Sequence, residues 1–588
     1  MGFVNVIEYR HVFDEPCPEV GSLVANLPSK FVIGLLAIIN DTLTIRGEST
    51  DTQEFLLYCM TVNITPAIRA KIFERVRPLI QSGRHQLFSI PYTVEFVNRE
   101  LINFREEDAN RKVDFAADEL NFFKAYIAVT DDMVQREVKK NEEAIIAAAT
   151  EGGVNLIKLM WPHLIKQFEF TNRPDPIYER FRGRALMSYL ESHEKYKEYA
   201  LSYFQSFGCT SGQEYLNRIE SLIVRNLQRE QSDDPMSYFF RIRVDQPEPV
   251  FEGMVIDPEQ VRNNESKQID YRGLKEKPLF QFEKNEYVVP HWDYLYNSLV
   301  TGLLFAFHRK SGVKKVARDF DGFKSTISRE FSDEILFRNT MKKCFGRANE
   351  TLLFFEDKEV FNPDCYYRRG RNVFVIEFKD YLLATDVIQS SSYDAIKKAI
   401  DDKFVGDNKG GDNKGKGINQ LAWNIEYLIR NKEKFYEIDE LAKSENLDIN
   451  DLIFYPVIVQ TNIYFDLPGL NDYLDEVYQQ RIKDVKQEHK YFAPLTMINF
   501  QYFYEHILQY SDSQLQFEEE IIYYHHYTYA LKRKAQTTGD ENHWFYSLSP
   551  FSLLESEKSE SLVMYRREDI LRTINECWQI ADTDEPEK

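Results

Sequence analysis

The stretch from Asn362 to Lys379 constrains the fold more than any other. Two β-like runs flank the basic turn Arg368-Arg369-Gly370-Arg371, and a glycine at such a turn reads as a hairpin. Folded about Gly370, the chain brings Asp364 back beside Ile376 or Glu377. Alternate residues of a strand share a face, so Glu377 and Lys379 point one way while Phe374, Ile376 and Phe378 point the other way, into a core. An aspartate, a glutamate and a lysine then converge at the end of a buried hairpin, where their charges must be satisfied.

A divalent cation satisfies them. Two carboxylates and a backbone carbonyl are hard oxygen ligands suited to Mg²⁺. Such an ion polarises a phosphodiester and lowers the pKa of a bound water. The lysine can orient or deprotonate that water, or neutralise charge developing on phosphorus.

The elements around the hairpin are predicted from periodicity and turn signals. A helix is expected over 320–344, strands over 351–355, 360–367 and 372–379, helices over 391–403 and 418–430, and a buried strand over 452–463 whose Pro456 belongs at a strand start or an edge. Between the last two helices the pentapeptide GDNKG occurs twice in succession within 406–417, a composition expected of a mobile loop.

Asn362-Pro363-Asp364, a spacer of about a dozen residues, and Glu377-Phe378-Lys379 resemble the PD…ExK signature of the PD-(D/E)XK nuclease superfamily. The helix–strand order resembles that family's αβββαβ core, the restriction-endonuclease-like fold. The resemblance covers residues 320–465. It implies a Mg²⁺ site, with Mn²⁺ able to substitute, formed by Asp364, Glu377 and the Phe378 carbonyl, and Lys379 positioning the attacking water. Family members often carry an acid on the preceding helix. Glu330 and Glu334 are one turn apart, and Glu334 shares the stripe of Ile327 and Phe331, so Glu334 is favoured to complete the site. RecB-like members carry a glutamine on the helix after the ExK strand, the place of Gln420, although the GDNKG insertion departs from the family pattern. Arg368, Arg369 and Arg371 at the turn, and Lys397 and Lys398, are candidates for contacting a phosphate backbone.

The remainder of the chain is read from pattern alone. Of its 588 residues, 73 are Lys or Arg and 94 Asp or Glu; the net charge of −21 argues against coating nucleic acid through bulk positive charge but leaves room for a local basic groove. Six cysteines without a CxxC pair exclude a disulfide scaffold and the usual zinc-ribbon spacing, and read as reduced thiols. The longest apolar run, 31–39, is far short of the ~20 residues of a membrane span, so a soluble, cytoplasmic protein with no membrane partner is expected. No Walker motif or GxGxxG after a strand encodes an ATP-driven motor.

Residues 1–230 are expected to be mostly helical, with a helix from Pro66 ended or kinked by Pro78, a helix capped by Thr130 or Asp131, and helices over 178–207 and 211–229. The proline-rich, acidic stretch 231–285 reads as a linker or domain boundary, 286–485 as the nuclease domain, and 486–588 as an aromatic extension ending in an acidic, disordered tail. The expected class is therefore mixed α+β: a mostly α-helical N-terminal half followed by an αβββαβ restriction-endonuclease-like domain. The expected activity is metal-dependent hydrolysis of DNA. The helical half would receive a trigger or protein partner, as in a regulated effector of bacterial anti-phage defence, an analogy from architecture. Two alternatives stand beside it. One is an inactive scaffold or binding subunit on the same fold; the other is an RNA-cleaving enzyme, since the metal chemistry acts on phosphate.

Overall fold

Two units make up the chain, and neither is continuous in sequence. The first comprises Met1–Glu142 and Glu169–Phe320, the second Glu143–Phe168 and Asp321–Lys588. The computed structural model describes residues 5–107, 111–150, 156–171, 175–265, 271–355, 360–406, 416–553 and 564–580. Most of the GDNKG repeat (407–415) and the acidic tail (581–588) lie outside the described residues.

Helices dominate the first unit. Pro66 occupies the first turn of Pro66–Gln81, where its missing N–H costs nothing, and Pro78 falls in the last turn without breaking the helix earlier. The expected cap at Thr130 or Asp131 is instead mid-helix, because Phe115–Thr150 is one 36-residue helix. There Thr130 Oγ1 donates to the Tyr126 carbonyl, and Asp131 accepts the Tyr9 N–H at 2.9 Å. The expected single helix over 178–207 is two, Pro176–Ser192 and Lys197–Gln205.

Residues 231–285 are neither a linker nor a boundary, for they lie inside the first unit, which runs on to Phe320. They supply strands Arg241–Arg243 and Phe280–Glu283 of a three-stranded antiparallel sheet completed by Glu286–Val288. Tyr238, Ile256, Val261, Leu274 and Phe280 join the first unit's core. The prolines that read as linker punctuation start short helices: Pro235, Pro249 and Pro258 each stand first in one.

The second unit is a mixed α+β structure around a five-stranded sheet. Its strands are β1 (Glu350–Leu353), β2 (Cys365–Arg369), β3 (Asn372–Lys379), β4 (Ile453–Gln460) and β5 (Thr496–Asn499), in the spatial order β5-β4-β3-β2-β1. The β1–β2 and β2–β3 pairs are antiparallel; β3–β4 and β4–β5 are parallel. Pro456 lies inside β4, not at its start or on an edge. Its missing N–H falls on the β5 side, where Phe454 bonds residue 491 and the ladder resumes only at Val457 opposite Thr496.

Both faces of the sheet are covered, which is why residues 373–376 of β3 and 453–459 of β4 are unbroken apolar runs. On one face helix α2 (Ile418–Arg430) packs Leu421, Ile425 and Leu428 into the core that holds Val373, Val375 and Ile458. On the other, Phe378 stacks on Phe337 of the long helix α1 (320–344), ring centroids 4.5 Å apart. Helix α1 is α-helical over Phe320–Ile327 and Arg338–Cys344 and π-helical over Ser328–Phe337.

The unit reaches beyond the expected 286–485. It starts at Asp321 and recruits a helix from far upstream, where Trp161 is fully buried and its indole N–H donates to the Pro468 carbonyl at 2.9 Å. Residues after 485 are no appended extension, for they supply β5 and the buried Phe503 and Phe517. Among the described residues no helix is long and apolar enough to cross a membrane.

Candidate active site

The site is built by the hairpin. Gly370 sits at φ +56° in a two-residue turn closed by the Arg369–Asn372 pair, a backbone conformation that favours glycine. From that turn the ladder runs up to Cys365 opposite Ile376, which leaves Asp364 one step on, across from Glu377. There the carboxylate replaces the next backbone acceptor: Phe378 N–H donates to Asp364 Oδ2 at 2.6 Å. In an extended strand the N–H and C=O of one residue leave on the same edge, so the Phe378 carbonyl faces Asp364 as well.

Lys379 Nζ lies 2.8 Å from Glu377 Oε2 and 3.4 Å from Asp364 Oδ2. The Glu377 side chain is fully buried, and its second oxygen, Oε1, has no hydrogen-bond partner among the described residues. Burial, with the charge of Asp364 added, pushes the Glu377 carboxyl well above its ordinary range against the pull of Lys379. Burial works against the charge of Lys379, but the two carboxylates beside it win and hold its ammonium above the usual range.

The half-buried helix acid that feels the charge of Asp364 is Asp333, and the expected Glu334 turns outward. Glu334 is exposed, and Glu330 pairs with its neighbour Arg329 at 2.8 Å. Burial first, then the negative charge of Asp364, raise the Asp333 carboxyl to about 6. Arg338 restrains that rise from 3.1 Å. The π-helical stretch explains the shift. Its buried residues recur five apart, Phe331 and Ser332 followed by Leu336 and Phe337, so a count made at 3.6 residues per turn selects the wrong neighbour.

Asp380 was also missed. It points to the α1 face, where Lys324 Nζ (2.5 Å), Ser332 Oγ (2.6 Å), Ser328 Oγ (3.1 Å) and Thr461 Oγ1 (2.8 Å) all donate to its carboxylate. Burial opposes the charge, but Lys324 and these hydrogen bonds outweigh it and hold the carboxyl far below its usual range. This network ties the end of β3 to α1 and to the residue after β4. A depressed pKa stabilises the fold fully above the unfolded value, about 3.9, and the gain is lost as the pH falls from there toward the folded value. Asp380→Asn is therefore expected to cost roughly 3 kcal/mol at pH 7. Urea unfolding should show that deficit constant from about pH 5 upward and shrinking below about pH 4.

Gln420 does not touch the acids. Its Nε2 donates to the Asn362 carbonyl at 3.1 Å, and Asn424, one turn along α2, accepts the Asn362 N–H at 3.2 Å. Together they clamp the Asn362-Pro363 turn that delivers Asp364; Asn424 had not been singled out.

The basic candidates lie elsewhere. Arg368 is fully buried between Asp439 (2.5 Å) and Glu445 (2.9 Å), with Tyr366 hydrogen-bonded to the same Asp439, so it cannot meet a phosphate backbone. It shares the α2 face with Tyr366, and its partners arrive from distant helices. Arg369 pairs with Glu518 at 3.4 Å, and Arg371 is exposed. All three stand at the turn end of the hairpin, about 13–20 Å along the strand from Glu377. Lys397 is held by Asp401 and the Tyr473 hydroxyl, both at 2.7 Å, while Lys398 is exposed.

Among the described residues, no group of three or more His, Cys, Asp or Glu side chains is placed to hold a metal ion. What bears on a cation is the buried, unpartnered Glu377 Oε1 and the hard-oxygen character of Asp364, Glu377 and the Phe378 carbonyl. In this state the cation between the two carboxylates is the Lys379 ammonium. Compared with known protein families, curated proteins and solved structures, the chain shows no significant match to any of them.

Proposed function

We propose that the second unit is a Mg²⁺-dependent nuclease of the PD-(D/E)XK type that hydrolyses phosphodiester bonds of DNA, with Mn²⁺ able to replace Mg²⁺. The reading rests on one observation: Asp364, Glu377 and Lys379 converge at the end of β3 with a fully buried Glu377 oxygen that has no partner. A buried carboxylate left partly unsatisfied is costly, and a bound divalent ion removes that cost.

In this reading Glu377, Asp364 and the Phe378 carbonyl would hold the ion, which would polarise the phosphate and acidify a water. Lys379, partly released from the carboxylates, would hold the attacking water or the developing negative charge. Asp333 would complete the acidic set, and Arg338 would keep it ionised and fixed. The first unit would receive a trigger or protein partner in a regulated effector, a role supported only by the architecture of a large helical unit joined to this one.

The test is cleavage of plasmid, linear and single-stranded DNA, and of RNA, in Mg²⁺, Mn²⁺ or EDTA, by wild type, Glu377→Ala and Lys379→Ala. Metal-dependent DNA cleavage lost in both variants is the expected result. Cleavage of RNA alone would move the reading to a ribonuclease, and cleavage that survives in both variants would remove the site from it. The helix acid has its own test. Asp333→Asn is expected to lower the cleavage rate about 10–100-fold. Glu334→Ala, an exposed change, should stay within about twofold of wild type.

A further inference from the structure

The alternation that puts Glu377 and Lys379 on one face continues past the strand. Asp380 turns to α1, and Tyr381 returns to the catalytic face, where its phenol lies in the field of Lys379, Asp364 and Glu377. Its backbone is pinned by Asn462 Nδ2, which donates to the Tyr381 carbonyl at 3.2 Å. Its ring stands edge-on to the fully buried Phe404 at 6.0 Å, and Lys403 Nζ sits 5.0 Å from the ring centroid on the other contact. The neighbouring Asp401 is taken by Lys397 and Tyr473, so among the described residues a ring, not a carboxylate, holds the Lys403 cation.

This matters because the site is acidic. Asp333, Asp364 and Glu377 gather there, Asp380 lies on the opposite face of the strand end, and Arg338, Lys379 and Lys324 are each bonded to one or two of these four. A polyanionic strand approaching such a cluster needs a cation that is not already neutralised. Among the described residues Lys403 is one, and Tyr381 is two residues beyond Lys379, at most about 7 Å along the chain. That spacing is comparable with the separation of successive phosphates in a nucleic-acid strand.

Resting on the nuclease reading, we propose that Tyr381 and Lys403 form a substrate-positioning pair: Lys403 contacts the phosphate next to the scissile one, and the Tyr381 ring holds its ammonium in place. The pair performs no bond-breaking step. Its loss weakens DNA binding and leaves the chemistry of bound substrate unchanged.

The test combines steady-state cleavage with anisotropy of a fluorescein-labelled DNA oligonucleotide, in Ca²⁺, across a range of salt concentrations. Lys403→Ala is expected to raise KM about tenfold with kcat within about twofold, and to flatten the slope of log Kd against log salt by about 0.7–0.9, one phosphate contact. Tyr381→Ala should do the same. Tyr381→Phe, which keeps the ring, and Lys403→Arg, which keeps the charge, should bind as wild type does. Unchanged affinity and salt slope in Lys403→Ala, with wild type binding and cleaving, would overturn this proposal and leave the nuclease reading standing. A wild type that neither binds nor cleaves DNA would overturn both, and Glu377→Ala in the same cleavage assay reports on the site independently of Lys403.

Discussion

Replacing Arg368 by alanine is expected to destabilise the second unit by about 3–5 kcal/mol, the cost of stripping one partner from a buried ion pair. The guanidinium is fully buried. Its Nε and Nη2 bond the two oxygens of Asp439, and its Nη1 bonds Glu445 and the Gly370 carbonyl. Removing it leaves Asp439 fully buried with only Tyr366, Thr351 and the Ala442 N–H as donors. The unfolding midpoint should fall by roughly 10 °C. Arg368→Met together with Asp439→Leu, which removes both charges and keeps volume, should recover most of the loss. DNA affinity of the folded fraction should not change. A variant that keeps its midpoint and binds DNA more weakly would return Arg368 to the surface role its place in a basic turn implied.

Glu377→Gln is expected to separate catalysis from folding. The substitution conserves volume and the hydrogen-bonding reach to Lys379 but removes the charge that would hold a cation. Metal-dependent cleavage should fall by at least about 10³-fold. Stability without metal should change by no more than about 1 kcal/mol, because a buried carboxyl with one unpartnered oxygen contributes little to the fold, and Asp364 still pairs with Lys379. Parallel measurement of cleavage rate and urea midpoint checks this. Loss of both together would make Glu377 a structural residue.

The sequence was legible where the physics is local. Gly370 and the period-two alternation of β3 were enough to put Asp364 beside Ile376 or Glu377, and the register, with Cys365 opposite Ile376, leaves it across from Glu377. Illegible features depended on geometry or partners that spacing does not show. The π-helical stretch of α1 moved the site-facing acid from Glu334 to Asp333. Arg368 looked like a solvated turn residue because Asp439 and Glu445 lie about seventy residues away. Prolines 235, 249 and 258 signal either a linker or helix starts, and only the core they help to bury distinguishes the two. The four-residue β5 and the helix around Trp161 join the second unit from beyond both of its expected borders, and no local pattern marks either as part of it.

The central claim is that Asp364 and Glu377 form a divalent-cation site. Calorimetric titration of the full chain with Mg²⁺ and with Mn²⁺, repeated on Asp364→Ala and Glu377→Gln, tests it most directly. The expected result is saturable binding by wild type that is lost in both variants while their folds remain intact by circular dichroism. No binding by wild type, or binding undiminished in the two variants, would contradict it.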